Sequence, residues 1–241
     1  MDSIVISNLT KKYKDVTAVD RLSLSIRAGE IFSLLGVNGA GKTTTLRMLS
    51  CLTRPTDGDA MLHGKSILRD MQAVKSMIGV SPQETAVAPN LTSRDNLEMM
   101  AGFHGFSREK RRMKTAELTE QLGLHEILNK KARMLSGGWQ RRLSIAMALV
   151  SQPRILFLDE PTLGLDVLAR SDLWDAIRAL KGKTTIILTT HYMEEAEVLS
   201  DRIAIMKNGR HLLTGTPDEI KNKAETDRFE DAFVKLVKEG N

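Results

Sequence analysis

Gly36-Val37-Asn38-Gly39-Ala40-Gly41-Lys42-Thr43 decides how this chain is read. The stretch follows an apolar run, Ile31 to Leu35, closed by Gly36. From Thr43 it passes into a pattern with Leu46, Leu49 and Leu52 at three-residue steps, which predicts a helix. Strand, glycine-rich turn and helix are the setting of a phosphate loop. Glycines let backbone N–H groups converge on phosphate oxygens, and the helix N-terminus adds its positive dipole end. Lys42 is placed to reach β- and γ-phosphates, and the Thr43 hydroxyl can ligate magnesium. Gly36, Asn38, Gly39, Ala40, Gly41 and Thr44 complete the candidate loop.

Working outward, Ile155-Leu156-Phe157-Leu158-Asp159 reads as a buried strand that delivers Asp159 at its C-terminal end, where open α/β sheets bind ligands. There Asp159 can hold magnesium, and Glu160 is the candidate general base for an attacking water. Alone, Asp-Glu after a strand is more often a solvated turn than a site; beside a phosphate loop the balance reverses. Further strands are expected at VISNL, LSLSI, IGVSPQ, TIILTT and RIAIMK, with a strand or hairpin over 58–67 and a turn at Asn208-Gly209.

Residues 84–150 change character to helix. Segment 107–122 offers Met113, Ala116 and Leu122 as a sparse apolar face, and segment 139–151 is apolar enough to be buried on most sides. In SDLWDAIRALKG, Leu173, Ile177 and Leu180 share one helical face. The fold class is therefore α/β, a P-loop NTPase core with a mainly parallel sheet, an N-terminal antiparallel β-subdomain and an inserted helical subdomain. One domain is expected over 1–215, its core at 1–83 and 151–215 and its helical part at about 84–150. A short tail with a helix at FEDAFVKLV follows over 216–241.

The 241 residues are 41% hydrophobic and 27% charged, ordinary for a globular protein. No apolar run approaches the roughly 18 residues that span a bilayer, and no secretory signal opens the chain, which points to the cytoplasm. A single cysteine, Cys51, excludes an internal disulfide or a cysteine-rich zinc site, and its apolar neighbours predict burial. The five histidines lack metal-ligand spacing. The net charge of +5 raises nucleic acid as a partner. The densest basic run, REKRRMK at 108–114, has no interleaved aromatics and reads as a solvated helix face, so no nucleic acid is expected.

The guanine-reading string Asn-Lys-x-Asp is missing, since Asn129-Lys130-Lys131-Ala132 and Asn222-Lys223-Ala224-Glu225 both lack the aspartate. ATP is favoured over GTP. Upstream of Asp159 stands Leu135-Ser136-Gly137-Gly138-Trp139-Gln140-Arg141-Arg142. By itself Ser-Gly-Gly is a helix cap with Ser136 at the N-cap, yet a glycine-exposed helix N-terminus is also a second phosphate-binding surface. One ATP needs one loop, so two half-sites in one chain suggest two protomers placed head to tail.

In that order of motifs the chain resembles the nucleotide-binding domain of ABC ATPases over nearly its whole length. The resemblance implies that Tyr13 stacks on adenine and that Gln83 touches magnesium and senses a transmembrane partner. It also implies that Ser136, Gly137 and Gly138 cap the partner's γ-phosphate, that Asp166 links the two sites and that His191 contacts the γ-phosphate. Trp139 stands where the family has glutamine. An ATPase is implied, its second subunit a like or related chain and its permease a separate transmembrane subunit receiving the region from Gln83 to about Met100. The chain would then lie peripherally on the inner face of the membrane. PTLGLD with HYMEEAE and a short tail is similar to small bacterial exporter ATPases. An ABC ATPase outside transport, and a regulatory module that binds ATP without turnover, are the alternatives.

Overall fold

The computed structural model describes residues 1–239. The first helix-forming signal lies between two sheets. The N-terminal sheet is antiparallel, in the order β2 (Val16–Arg27), β1 (Asp2–Tyr13), β4 (Asp57–Leu62), β5 (Lys65–Ser66). Its alternating burial, with Ile4, Ile6, Leu9, Leu22 and Ile26 inward, follows the period-two pattern of LSLSI. Both long strands run well beyond VISNL and LSLSI because bulges bend them around the core.

The second sheet has the order β10 (Arg210–Gly215), β9 (Arg202–Lys207), β3 (Ile31–Leu35), β8 (Thr185–Thr190), β7 (Ile155–Asp159), β6 (Ile78–Ser81). Only β10 is antiparallel. β3, β7 and β8 are buried along their whole lengths, as continuous apolar runs in a covered parallel sheet require. The expected P-loop architecture is thus present. Asn208 and Gly209 both have positive φ, the two-residue turn that a tight hairpin needs, and the turn leads into β10, a strand beyond the sequence expectation.

Helix α1 (Lys42–Leu49) packs under this sheet, with α2 (Met71–Met77) before β6. Residues 84–150 hold α3 (Ser93–Phe103), α4 (Arg108–Gln121), two 3₁₀ turns and α5 (Gly137–Leu149). Then follow α6 (Val167–Arg178), α7 (Met193–Leu199), α8 (Pro217–Ala224) and α9 (Phe229–Glu239). The last two residues of the expected tail lie outside the described residues. α9 covers the predicted FEDAFVKLV helix and buries Phe229, Ala232 and Phe233 against Ile203, Ile205 and Ile220.

Three details differ from expectation. α1 ends at Leu49, so Leu52 falls past the helix and is 66% exposed. Cys51 is half-buried in left-handed backbone (φ 57), its Sγ 3.6 Å from the Ile67 carbonyl oxygen. On α4 the inward face is Lys114, Thr115, Leu118 and Thr119, whereas Met113 and Ala116 face out. Two of these polar side chains bond locally: Lys114 pairs with Glu117 and the Thr119 hydroxyl donates to the Thr115 carbonyl.

Candidate functional site

Parallel β3, β7 and β8 end side by side at Leu35, Asp159 and Thr190. Beyond these ends lies a cavity of about 800 Å³, lined by Val16 to Ala18, Asn38 to Thr44, Gln83, Glu160, Leu163, His191 and Asn208. Its place at the carboxyl ends of the strands is where such sheets take ligands.

The loop after β3 tolerates no side chain at two points. A Cβ at Gly36 would collide with the Met206 carbonyl oxygen. One at Gly41, whose φ is 97°, would collide with that of Ala18. Gly41 is the N-cap of α1, and no side chain caps the first-turn amides. Those amides suit an anion. The Lys42 side chain folds back into the loop, where its Nζ donates to the Gly36 carbonyl at 2.7 Å and to that of Val37 at 3.3 Å. Burial lowers its pKa against the pull of Glu160 and Asp159.

On the facing strand end, Asp159 Oδ1 accepts from Thr43 Oγ1 at 3.0 Å and from Thr189 Oγ1 at 2.6 Å. Glu160 follows in left-handed backbone (φ 47), its N–H donating to the Thr189 carbonyl and hydroxyl at 3.1 and 3.0 Å. Its carboxylate is almost fully buried, with Oε1 3.7 Å from Lys42 Nζ and Oε2 2.9 Å from His191 Nδ1. That last contact lacks the alignment of a hydrogen bond. The structure therefore brings together Lys42, Thr43, Asp159, Glu160 and His191, with Asn38, Gly39, Ala40, Thr44 and Gln83 on the same wall.

Tyr13 does not line the cavity. It is 45% exposed at the end of β1, with Lys11 Nζ 4.9 Å from its ring centre, and it pairs with Val16, which does line it. Ser136, Gly137, Gly138 and Asp166 form a separate cluster. Ser136 caps α5 by accepting from Trp139 N–H at 3.5 Å, and Asp166 caps α6 by accepting from Ala169 N–H at 2.9 Å. The two helix starts touch, since a Cβ at Gly138 would stand 2.9 Å from the Ala169 Cβ. Trp139 packs on the large core cluster with the Arg142 guanidinium 4.7 Å from its ring centre.

Three polar residues beyond the sequence reading support the site. Thr189 bridges Asp159 and Glu160. Arg141, 5% exposed, bonds the Pro82 and Gln83 carbonyls. Glu195, fully buried on α7, accepts from Trp174 Nε1 at 3.3 Å and faces the Thr162 and Thr190 hydroxyls; burial raises its pKa. Only Thr189 carried a signal, as the residue before the Thr190-His191 pair.

The sequence model of the ABC transporter family matches residues 19–163. The chain belongs to the ABC transporter family. Over 95% of its length it is 41% identical to the daunorubicin resistance ATP-binding protein DrrA3 of Streptomyces coeruleorubidus, spanning 72% of that protein. It is 42% identical to the Nod factor export ATP-binding protein I of Ralstonia nicotianae, over 89% of this chain and 67% of that one. A bacterial ABC transporter cassette solved as a dimer, MJ0796, superposes with a TM-score of 0.79 at 29% identity, covering 88% of this chain and 98% of that one. The same cassette has also been solved in a post-hydrolysis state with ADP and phosphate. As an ABC cassette this chain binds and hydrolyses ATP for a transporter. No helix among its described residues is long and apolar enough to cross a membrane.

Proposed function

We propose that this chain is the motor of an exporter, closing head to tail with a second cassette around two ATP molecules. The observation that carries this reading is the Glu160 carboxylate, buried at the cavity wall between Lys42 Nζ and His191 Nδ1. A carboxylate there is within reach of a water lined up on the terminal phosphate, and it takes that water's proton. Lys42 and the free amides of α1 hold the β- and γ-phosphates, and His191 stands beside the γ-phosphate. Tyr13, next to Val16, stacks on the adenine.

Thr43 and Asp159 present two oxygens 3.0 Å apart beside Gln83. An oxygen-only set of this kind suits magnesium, which completes its shell with water and substrate phosphates. Bound there, magnesium would neutralise phosphate charge. Ser136, Gly137 and Gly138 close over the partner's nucleotide, and Asp166 links the two sites. The core at 1–83 and 151–215 carries the nucleotide, and the helical part at about 84–150 carries the closing surface. Its stretch from Gln83 to about Met100 receives the transmembrane subunit, which keeps the cassette on the cytoplasmic face of the membrane. Export is favoured by the drug-resistance and Nod factor export relatives.

Glu160→Gln tests the reading. ATP hydrolysis falls by about 10²- to 10⁴-fold, the usual cost of losing a general base, while an ATP-bound dimer accumulates on size-exclusion chromatography. Turnover at the wild-type rate would remove Glu160 from the role of base.

A further inference from the structure

The helix that starts at Ser136 is fastened along one face to the strand that leads to Gln83. Arg141 donates from Nη1 to the Pro82 carbonyl at 2.5 Å and from Nη2 to the Gln83 carbonyl. One turn further, the Ser144 and Ser81 hydroxyls share a buried hydrogen bond of 2.9 Å. At the next turn the backbones meet, because a Cβ at Gly79 would collide with the Ala148 carbonyl oxygen. α5 and the β6 end thus form one stiff unit.

Arg141 itself is 5% exposed, and among the described residues no carboxylate pairs with it directly. Asp159 and Glu195 act on it only at longer range, and burial works against its charge. A buried cation without a direct counter-ion is costly unless its donors are well used. Here the planar fork spans two successive carbonyls, which fixes both the position and the twist of the Pro82–Gln83 peptide. An ammonium, a point charge, cannot impose that twist. Gln83 also lines the nucleotide cavity, 58 residues away in sequence from the arginine that holds its carbonyl.

We propose that Arg141 is a positioning residue that ties Gln83 to the Ser136 helix and so sets where Gln83 stands on the wall of the nucleotide cavity. This rests on the reading of Gln83 as a magnesium contact.

The test uses Mn²⁺ in place of Mg²⁺. Its binding to the full chain with a non-hydrolysable ATP analogue is followed by electron paramagnetic resonance, and analogue binding is measured separately in EDTA. Arg141→Met weakens Mn²⁺ binding about tenfold, the scale of losing hydrogen bonds made by a charged group. Analogue binding in EDTA changes less than about twofold, as for a substitution that leaves the phosphate contacts alone. Arg141→Lys recovers part of the Mn²⁺ affinity, and Ser144→Ala, which leaves the guanidinium in place, keeps all of it. Should Arg141→Met fail to fold by thermal melting, Arg141→Lys carries the test, its expected loss lying between wild type and Gln83→Ala. Combining Arg141→Met with Gln83→Ala gives no further loss beyond Gln83→Ala alone, because the two act through one contact. If Gln83→Ala weakens Mn²⁺ binding and the Arg141 variants do not, or if the losses add, the positioning role is overturned while Gln83 keeps its contact. If Gln83→Ala has no effect, the magnesium reading of Gln83 falls and the proposal with it.

Discussion

Two glycine-marked helix starts sit at opposite ends of the same chemistry, and they are built in opposite ways. At α1 the loop is locked from within: Lys42 is 5% exposed, bonded to its own loop carbonyls and close to Glu160, and Thr43 bonds Asp159. At α5 the helix start is open. Ser136 and Gly137 are exposed, Ser136 caps only its own helix, and Met134, Val167 and Leu168 nearby are each more than 70% exposed. Preorganised donors favour holding charge where it develops. A surface that serves another molecule's nucleotide must instead stay accessible. In the proposed head-to-tail arrangement the contrast separates a half-site that works in its own chain from one that works on its neighbour.

Removing the inner lock gives the largest effect. Lys42→Ala weakens ATP binding about 10- to 150-fold, the range for hydrogen bonds to a charged group, as isothermal titration calorimetry would show. Undiminished affinity would mean that the α1 amides suffice. Ser136→Arg acts only on the open half: the ATP-dependent dimer disappears from light scattering while monomer affinity stays within about twofold, as for most surface substitutions. A dimer that survives breaks the head-to-tail division between the two helix starts.

The smallest effect sharpens the comparison from below, at Glu195. Burial raises its pKa from the usual 4.5. Its contribution to stability is therefore fully present below about pH 4.5 and is lost as pH rises through the raised value. Glu195→Gln, which stays neutral, melts roughly 2–4 °C above wild type at pH 8, about 1 kcal/mol for a chain of this size. The difference shrinks toward pH 4.5. A pH-independent difference would show that Glu195 is charged within the fold.

The sequence was most informative where one residue type answers one local demand. Gly36 and Gly41 occupy positions closed to any side chain, the β3 and β7 runs are buried on both faces, and Ser136 caps the helix it precedes. It was least informative where polar residues are buried by distant partners. Arg141 reads as one more basic residue until the Pro82 and Gln83 carbonyls come against it. Glu195 reads as a solvated helix acid until Trp174 covers it. Lys114 and Thr119 took the inward face of α4 from Met113 and Ala116 because hydrophobic periodicity does not register polar groups satisfied by their own helix. The sequence separates the phosphate loop from a second half-site; three dimensions add that the Asp166 helix start stands against the Ser136 one, at the α5–α6 contact.

The backbone at Glu160 has a consequence for how this chain can change over time. A φ of 47° is one that glycine or asparagine adopts more readily than glutamate. Selection for a sturdier fold alone would drift that position toward Gly or Asn, and the chain would become more robust as it lost its proposed base. Glu160 thus marks a place where natural variation can report on use: a descendant released from ATP turnover is free to relax there first.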